Sequence, residues 1–147
     1  DHLNSGVADP LDRLTGGMIT VAAFALAAPR PAAILMRTAR HMVLEEHPLN
    51  RGVLNDLRAS VKAGVVGGDA DQAGLLFWLG SCHALMSAIV AGRWLPAYAV
   101  DQMRPMLRLS LRGLGVERDA IERQSDLARL ETRLARALAE GFRSGTA

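Results

Sequence analysis

The chain has 147 residues, half of them hydrophobic, with 22% charged, 4% aromatic and a formal net charge of +2. That length suits one domain with one core, the apolar share excludes disorder, and a single cysteine, Cys82, excludes an internal disulfide. The pI of 9.3 overstates how basic the chain is, because little titrates between neutrality and the arginines; no dense basic run tracks phosphates, so the chain does not read as a nucleic-acid binder in its own right. Asp9 with Pro10 predicts a helix start and a run to about Ala28; Thr20 alone is polar from Met18 to Ala28, which predicts a first helix enclosed on nearly every side. Pro29 and Pro31 break the chain, and Pro31 can open a second helix burying Ile34, Leu35, Thr38, Ala39 and Met42. After His47-Pro48, a third helix turns Leu49, Val53, Leu54, Leu57 and Val61 inward and Arg51, Asn55, Arg58 and Lys62 outward.

Gly64 ends that helix, and Asp69 with Gln72 has the spacing of a capping box for a fourth, which runs to about Gly92. Ala73 to Gly92 carries no formal charge and is about the length that spans a bilayer. Its His, Ser, Cys and Gly residues favour a helix buried by protein, so no membrane span is expected. One stripe of this helix holds Phe77 with the small residues Gly80, Ala84, Ser87 and Ala91, and the other side holds Leu75, Leu79, Cys82, Met86 and Ile89. A helix apolar on two sides needs two sets of neighbours: its own core and, as an expectation, a second subunit. Pro96 opens a fifth helix with Val100, Met103, Leu107, Leu111 and Leu114 on one side. A sixth runs from about Arg118 to Gly141, with a narrow stripe of Leu127, Leu130, Leu134 and Leu138.

Catalytic chemistry is sparse. No Glu-x-x-His pair supplies di-iron ligands. His41 and Glu45 stand four apart without a second such pair, which favours a solvated helix end over a metal site, so no metal and no cofactor are expected. His83 and Ser87 are also four apart, but nothing nearby in sequence orients the imidazole and no nucleophile elbow is present. Cys82 in an apolar stripe reads as a small hydrophobe. The chain is therefore expected not to be an enzyme. Phe24, Phe77, Trp78 and the methionines either line a greasy cavity or fill the core. A pocket is expected between the first, third and fourth helices, lined by Phe24, Leu54, Leu57, Phe77, Trp78, Cys82 and Met86, with His83 or Thr38 as a polar anchor.

The order of segments carries a resemblance. Pro10-Leu11-Asp12-Arg13-Leu14 opens the first helix, and a proline break at Pro29 precedes a helix that ends before His47-Pro48-Leu49. Leu57 to Gly64 and the Gly67-Gly68-Asp69 turn follow, then the Gly80-to-Met86 helix, Ala91-Gly92-Arg93, and the ending Leu111-Arg112-Gly113-Leu114-Gly115-Val116. From Pro10 to Val116 this resembles the C-terminal ligand-binding and dimerisation domain of TetR-family transcriptional regulators. The helix after Val116 extends past that pattern, and the family's N-terminal helix-turn-helix is absent from the 147 residues.

The resemblance implies an all-α antiparallel bundle of about six helices, forming one domain over 1–147. It implies a homodimer through the fourth and fifth helices, with Gly80, Ala84, Ser87, Ala91, Met103, Leu107 and Leu111 as interface candidates. It implies a small hydrophobic effector and contact with DNA only through the missing head of a parent regulator or repressor; the lone Cys82 fits a reducing, cytoplasmic setting. A helical interaction module with a filled core, or a helical enzyme, stands as the alternative.

Overall fold

Asp9 opens the first helix. In the computed structural model, which describes residues 9–38 and 48–144, its carboxylate accepts the Leu11 N–H at 3.0 Å and Pro10 takes the first helical position, where no N–H is needed. Seven helices occur among the described residues: α1 (Pro10–Ala27), α2 (Pro29–Thr38), α3 (Pro48–Lys62), α4 (Gln72–Gly92), α5 (Pro96–Gly113), α6 (Arg118–Gln124) and α7 (Leu127–Ser144). No strand occurs among those residues, and the fold is an all-α helical bundle.

α1 packs against α7, α3 and α4. Leu14, Met18 and Ala22 lie wholly inside, while Thr20, Phe24 and Ala27 form an exposed strip. The first helix is thus enclosed on three sides rather than on nearly all, because apolar composition does not say where neighbouring helices stop. α2 begins at Pro29, earlier than the Pro31 start expected from the sequence. Ala28 alone joins the two helices: its N–H returns to the Phe24 carbonyl at 2.8 Å, and its own carbonyl accepts the Ala32 N–H at 3.0 Å. Both prolines fit because first-turn N–H groups have no intrahelical partner to lose. The two helices meet at a bend of 120°.

The inward face of α2 differs from expectation. Ala32 is fully buried, with Leu35 and Met36 packed against the core; Ile34 is 62% exposed and Thr38 is exposed. The reason lies in packing: α2 rests on α4, and the residue with no accessible surface, Ala32, sets which side of α2 faces the bundle. Ala39, His41, Met42 and Glu45 lie outside the described residues. α3 follows its spacing, with Leu54 and Leu57 buried and Arg51, Asn55, Arg58 and Lys62 exposed; Gly64, at φ +75°, ends it.

The turn before α4 does not form the expected capping box. Asp71 is the residue before the helix, makes no side-chain cap bond, and pairs instead with Arg58 at 3.1 Å. Asp69 sits within a turn held elsewhere: the Gly67 N–H donates to the Leu114 carbonyl at 2.8 Å, and the Ala70 N–H to the Gly67 carbonyl at 3.1 Å. Two motifs far apart in sequence, Gly67-Gly68-Asp69 and Leu114-Gly115-Val116, therefore meet. Gly115 has φ +81°, and a Cβ there would stand 3.3 Å from the Gly67 nitrogen.

The sixth helix of the sequence reading is two helices. Ser125 is buried at the break; its hydroxyl donates to the Ile121 carbonyl at 2.7 Å, and its carbonyl accepts from Arg104 at 2.8 Å. The Asp126 carboxylate then accepts the Arg129 N–H at 3.0 Å and opens α7. Leu130 and Leu134 bury against the rest of the core, while Leu127 stays exposed. Asp12 of α1 pins the seam, accepting from Gln124 at 2.5 Å and from Arg129 at 2.6 Å; Arg133 donates to the Asp12 carbonyl at 2.8 Å.

Candidate functional site

α4 has the two faces that its sequence suggests. Leu75, Trp78, Cys82, Leu85, Met86 and Ile89 point into the core. Gly80, Ala84, Ser87 and Ala91 are exposed along one strip, with Leu76 and Phe77 beside them, the latter 45% exposed. A Cβ built at Gly80 meets nothing within 4 Å, so the strip is open there. α5 returns antiparallel after a three-residue link; at the far end of the hairpin the Phe77 ring lies 3.0 Å from where a Gly113 Cβ would stand. α4 is also the one single helix among the described residues long and apolar enough to cross a membrane, by length and composition. Its inner face packs on α1, α2, α3 and α5.

Three of the interface candidates are corrected. Met103, Leu107 and Leu111 have no accessible surface in the single chain, so a partner has nothing there to cover. α5 turns Tyr98, Asp101, Pro105, Leu109 and Arg112 outward instead, with Leu109 63% exposed. Helical periodicity gives a buried face to α5 without saying what buries it, and α5 spends that face on its own chain.

The nine ligand candidates divide. Leu54, Leu57, Trp78, Cys82 and Met86 are brought together in the core cluster, and the Cys82 thiol is pushed up to about 12 by burial. Phe24, Thr38, Phe77 and His83 are exposed. Phe24 stands on the outward strip of α1 and Phe77 on the outward side of α4, so neither ring faces the buried five. The Thr38 hydroxyl donates to the Leu35 carbonyl of its own helix at 3.0 Å. His83 and Ser87 both lie on the outer side of α4.

A groove of about 460 Å³ opens where the end of α1, the start of α2 and the end of α4 converge. Its walls are Ala25, Leu26, Ala33, Ile89, Val90 and Trp94, with Pro29, Arg30 and Arg93 completing the lining. Local backbone chemistry builds one wall. Arg93 closes α4 in the left-handed conformation, φ 51° and ψ 48°, and both its N–H and that of Trp94 return to the Ile89 carbonyl, Trp94 at 3.2 Å. The chain then folds the Trp94 ring over Gly92, where any Cβ would stand 2.3 Å from the indole nitrogen. Tyr98 meets Trp94 edge-to-face, with centroids 5.0 Å apart.

None of the nine ligand candidates lines this groove. Arg30 and Trp94 were not singled out by the sequence, and Arg93 entered only as the last residue of the Ala91-Gly92-Arg93 segment, not as a site residue. A glycine at position 93 would have signalled the left-handed turn; an arginine does not. Among the described residues, no group of three or more His, Cys, Asp or Glu side chains is placed to hold a metal.

The chain matches no family model, no curated protein and no solved structure.

Proposed function

We propose that this chain is the dimerisation and effector-sensing domain of a TetR-type transcriptional regulator. The observation that carries the proposal is the outer strip of α4, where Gly80, Ala84, Ser87 and Ala91 are exposed and uncharged on a helix whose other face is already buried. Small side chains let a second helix come close, at interaxial distances of about 8 Å. A two-fold axis beside α4 sets the same strip of a second copy against it, as a symmetric interface requires. Leu76 and Phe77, exposed beside it, supply bulk at its margin. A stable interface of this kind buries on the order of 1,600 Å² in total.

The role proposed is binding rather than chemistry. An effector acts in such a domain only through different affinity for two arrangements of the dimer, which reposition DNA-binding heads that must reach successive major grooves about 34–36 Å apart. Sedimentation at tens of micromolar tests the reading. The unmodified chain is expected to run as a dimer, and Ala84→Arg, which sets a bulky charge into the strip, as a monomer with unchanged helical content. A monomer for the unmodified chain sinks the proposal.

A further inference from the structure

From the groove between α1, α2 and α4 we infer a binding site for a small amphipathic carboxylate, an acyl or aryl body of about ten heavy atoms carrying one negative charge. Three observations converge on that class. The walls are aliphatic or aromatic, and the volume of about 460 Å³ lies in the range of small-molecule sites. Arg30 and Arg93 both line the groove, no acidic side chain does, and among the described residues neither arginine forms an ion pair. Guanidinium forks match a carboxylate in two parallel hydrogen bonds, which a single apolar contact cannot replace.

The third observation is backbone strain. Arg93 holds φ 51°, the only positive φ at a non-glycine among the described residues, whereas Gly64 and Gly115 supply the other two. Glycine would take that turn at less cost. The arginine at this position adds a cation to the groove lining that Trp94 shares, and strain of this kind collects at ligand clamps. The expected pose lays the apolar body along Ile89, Val90 and Trp94 and sets the carboxylate at the two guanidinium groups.

The assignment rests on reading the chain as an effector-sensing domain, but the two fail separately, since oligomeric state is read in the same samples. Of the two tryptophans, Trp78 is buried and Trp94 lines the groove, so indole fluorescence reports on occupancy. The unmodified chain is titrated with octanoate, octanol, octylammonium and acetate, with calorimetry as a second readout. Octanoate should saturate and bind about tenfold more tightly than octanol or acetate, with octylammonium weakest. The double variant Arg30→Gln/Arg93→Gln should bring octanoate down to the octanol level. Ala33→Trp, which fills the groove from a half-exposed position, should abolish saturation. Arg93→Gly should weaken octanoate while leaving the protein at least as stable, which separates loss of the cation from loss of the fold.

No saturable binding of octanoate overturns the site. Equal affinity for octanoate and octanol overturns the carboxylate class. Unchanged octanoate binding in Ala33→Trp places the ligand elsewhere and also overturns it. A dimer that fails to bind octanoate leaves the dimer reading standing and removes the ligand; a monomer that binds it does the reverse.

Discussion

Gly115 occupies φ +81°, and a Cβ there would press to 3.3 Å from the backbone nitrogen of Gly67. Both terms act against any side chain: the left-handed backbone costs a non-glycine residue roughly 1 kcal/mol or more, and the Gly67 turn must give way. Gly115→Ala is therefore expected to lower stability by about 1–3 kcal/mol, read as a drop in urea midpoint with unchanged slope. Cys82 offers a second test at the same scale. Burial pushes its thiol from 9.0 to about 12, so the folded state holds the proton more tightly than the unfolded one. The contribution to stability is complete below pH 9 and is lost as pH rises from there towards 12, with a slope no steeper than about 1.4 kcal/mol per pH unit. Native Cys82 should resist thiol reagents at pH 8 and react at the rate of unfolding; rapid labelling of the folded protein would show that the thiol is not enclosed.

At the scale of the element, α4 shows how adjacent residues fall under different physics. Leu85 has no accessible surface and Ala84 is exposed, although they are neighbours in the chain. Leu85→Ala removes packed methyl groups and leaves a cavity, and should cost about 2–5 kcal/mol. Ala84→Ser touches the outer strip alone and should change unfolding of a single chain by less than about 0.5 kcal/mol. Thermal unfolding of both variants at one fixed concentration separates these effects; a small change for Leu85→Ala would mean that α4 is not the core helix described. The α4 alternation was legible because small and large side chains segregate at a period of 3.6. The break at Ser125 was not, since no proline or glycine marks it. A hydrogen bond from Arg104 to the Ser125 carbonyl, 21 residues away, accompanies the change of direction.

Over the whole molecule, four arginines pair with carboxylates among the described residues, Arg58 with Asp71 among them. Arg13 pairs with Asp56 at 2.7 Å and Arg129 with Asp12 at 2.6 Å, and Arg108 pairs with Glu122. A net charge of only +2, with several arginines already neutralised by carboxylates, offers little of the counterion release that drives duplex binding. Gel shifts at about 0.15 M salt should show no sequence-dependent DNA binding by the 147-residue chain; tight, sequence-dependent shifts would show that these helices read DNA themselves.

The sequence by itself determined the all-α class, most helix boundaries, the outward face of α3 and the two faces of α4, because those follow from proline and glycine punctuation and from side-chain spacing within one helix. The tertiary structure alone decided three things. It turned Met103, Leu107 and Leu111 inward, since a helix's apolar face does not state whether its own chain or another covers it. It brought the Gly67 turn to Leu114 and Gly115, a contact that no local pattern encodes. It also gathered Ala25, Arg30, Ile89, Arg93 and Trp94 into one groove, because residues from the ends of three helices become neighbours only when the 120° bend between α1 and α2 sets α2 against α4.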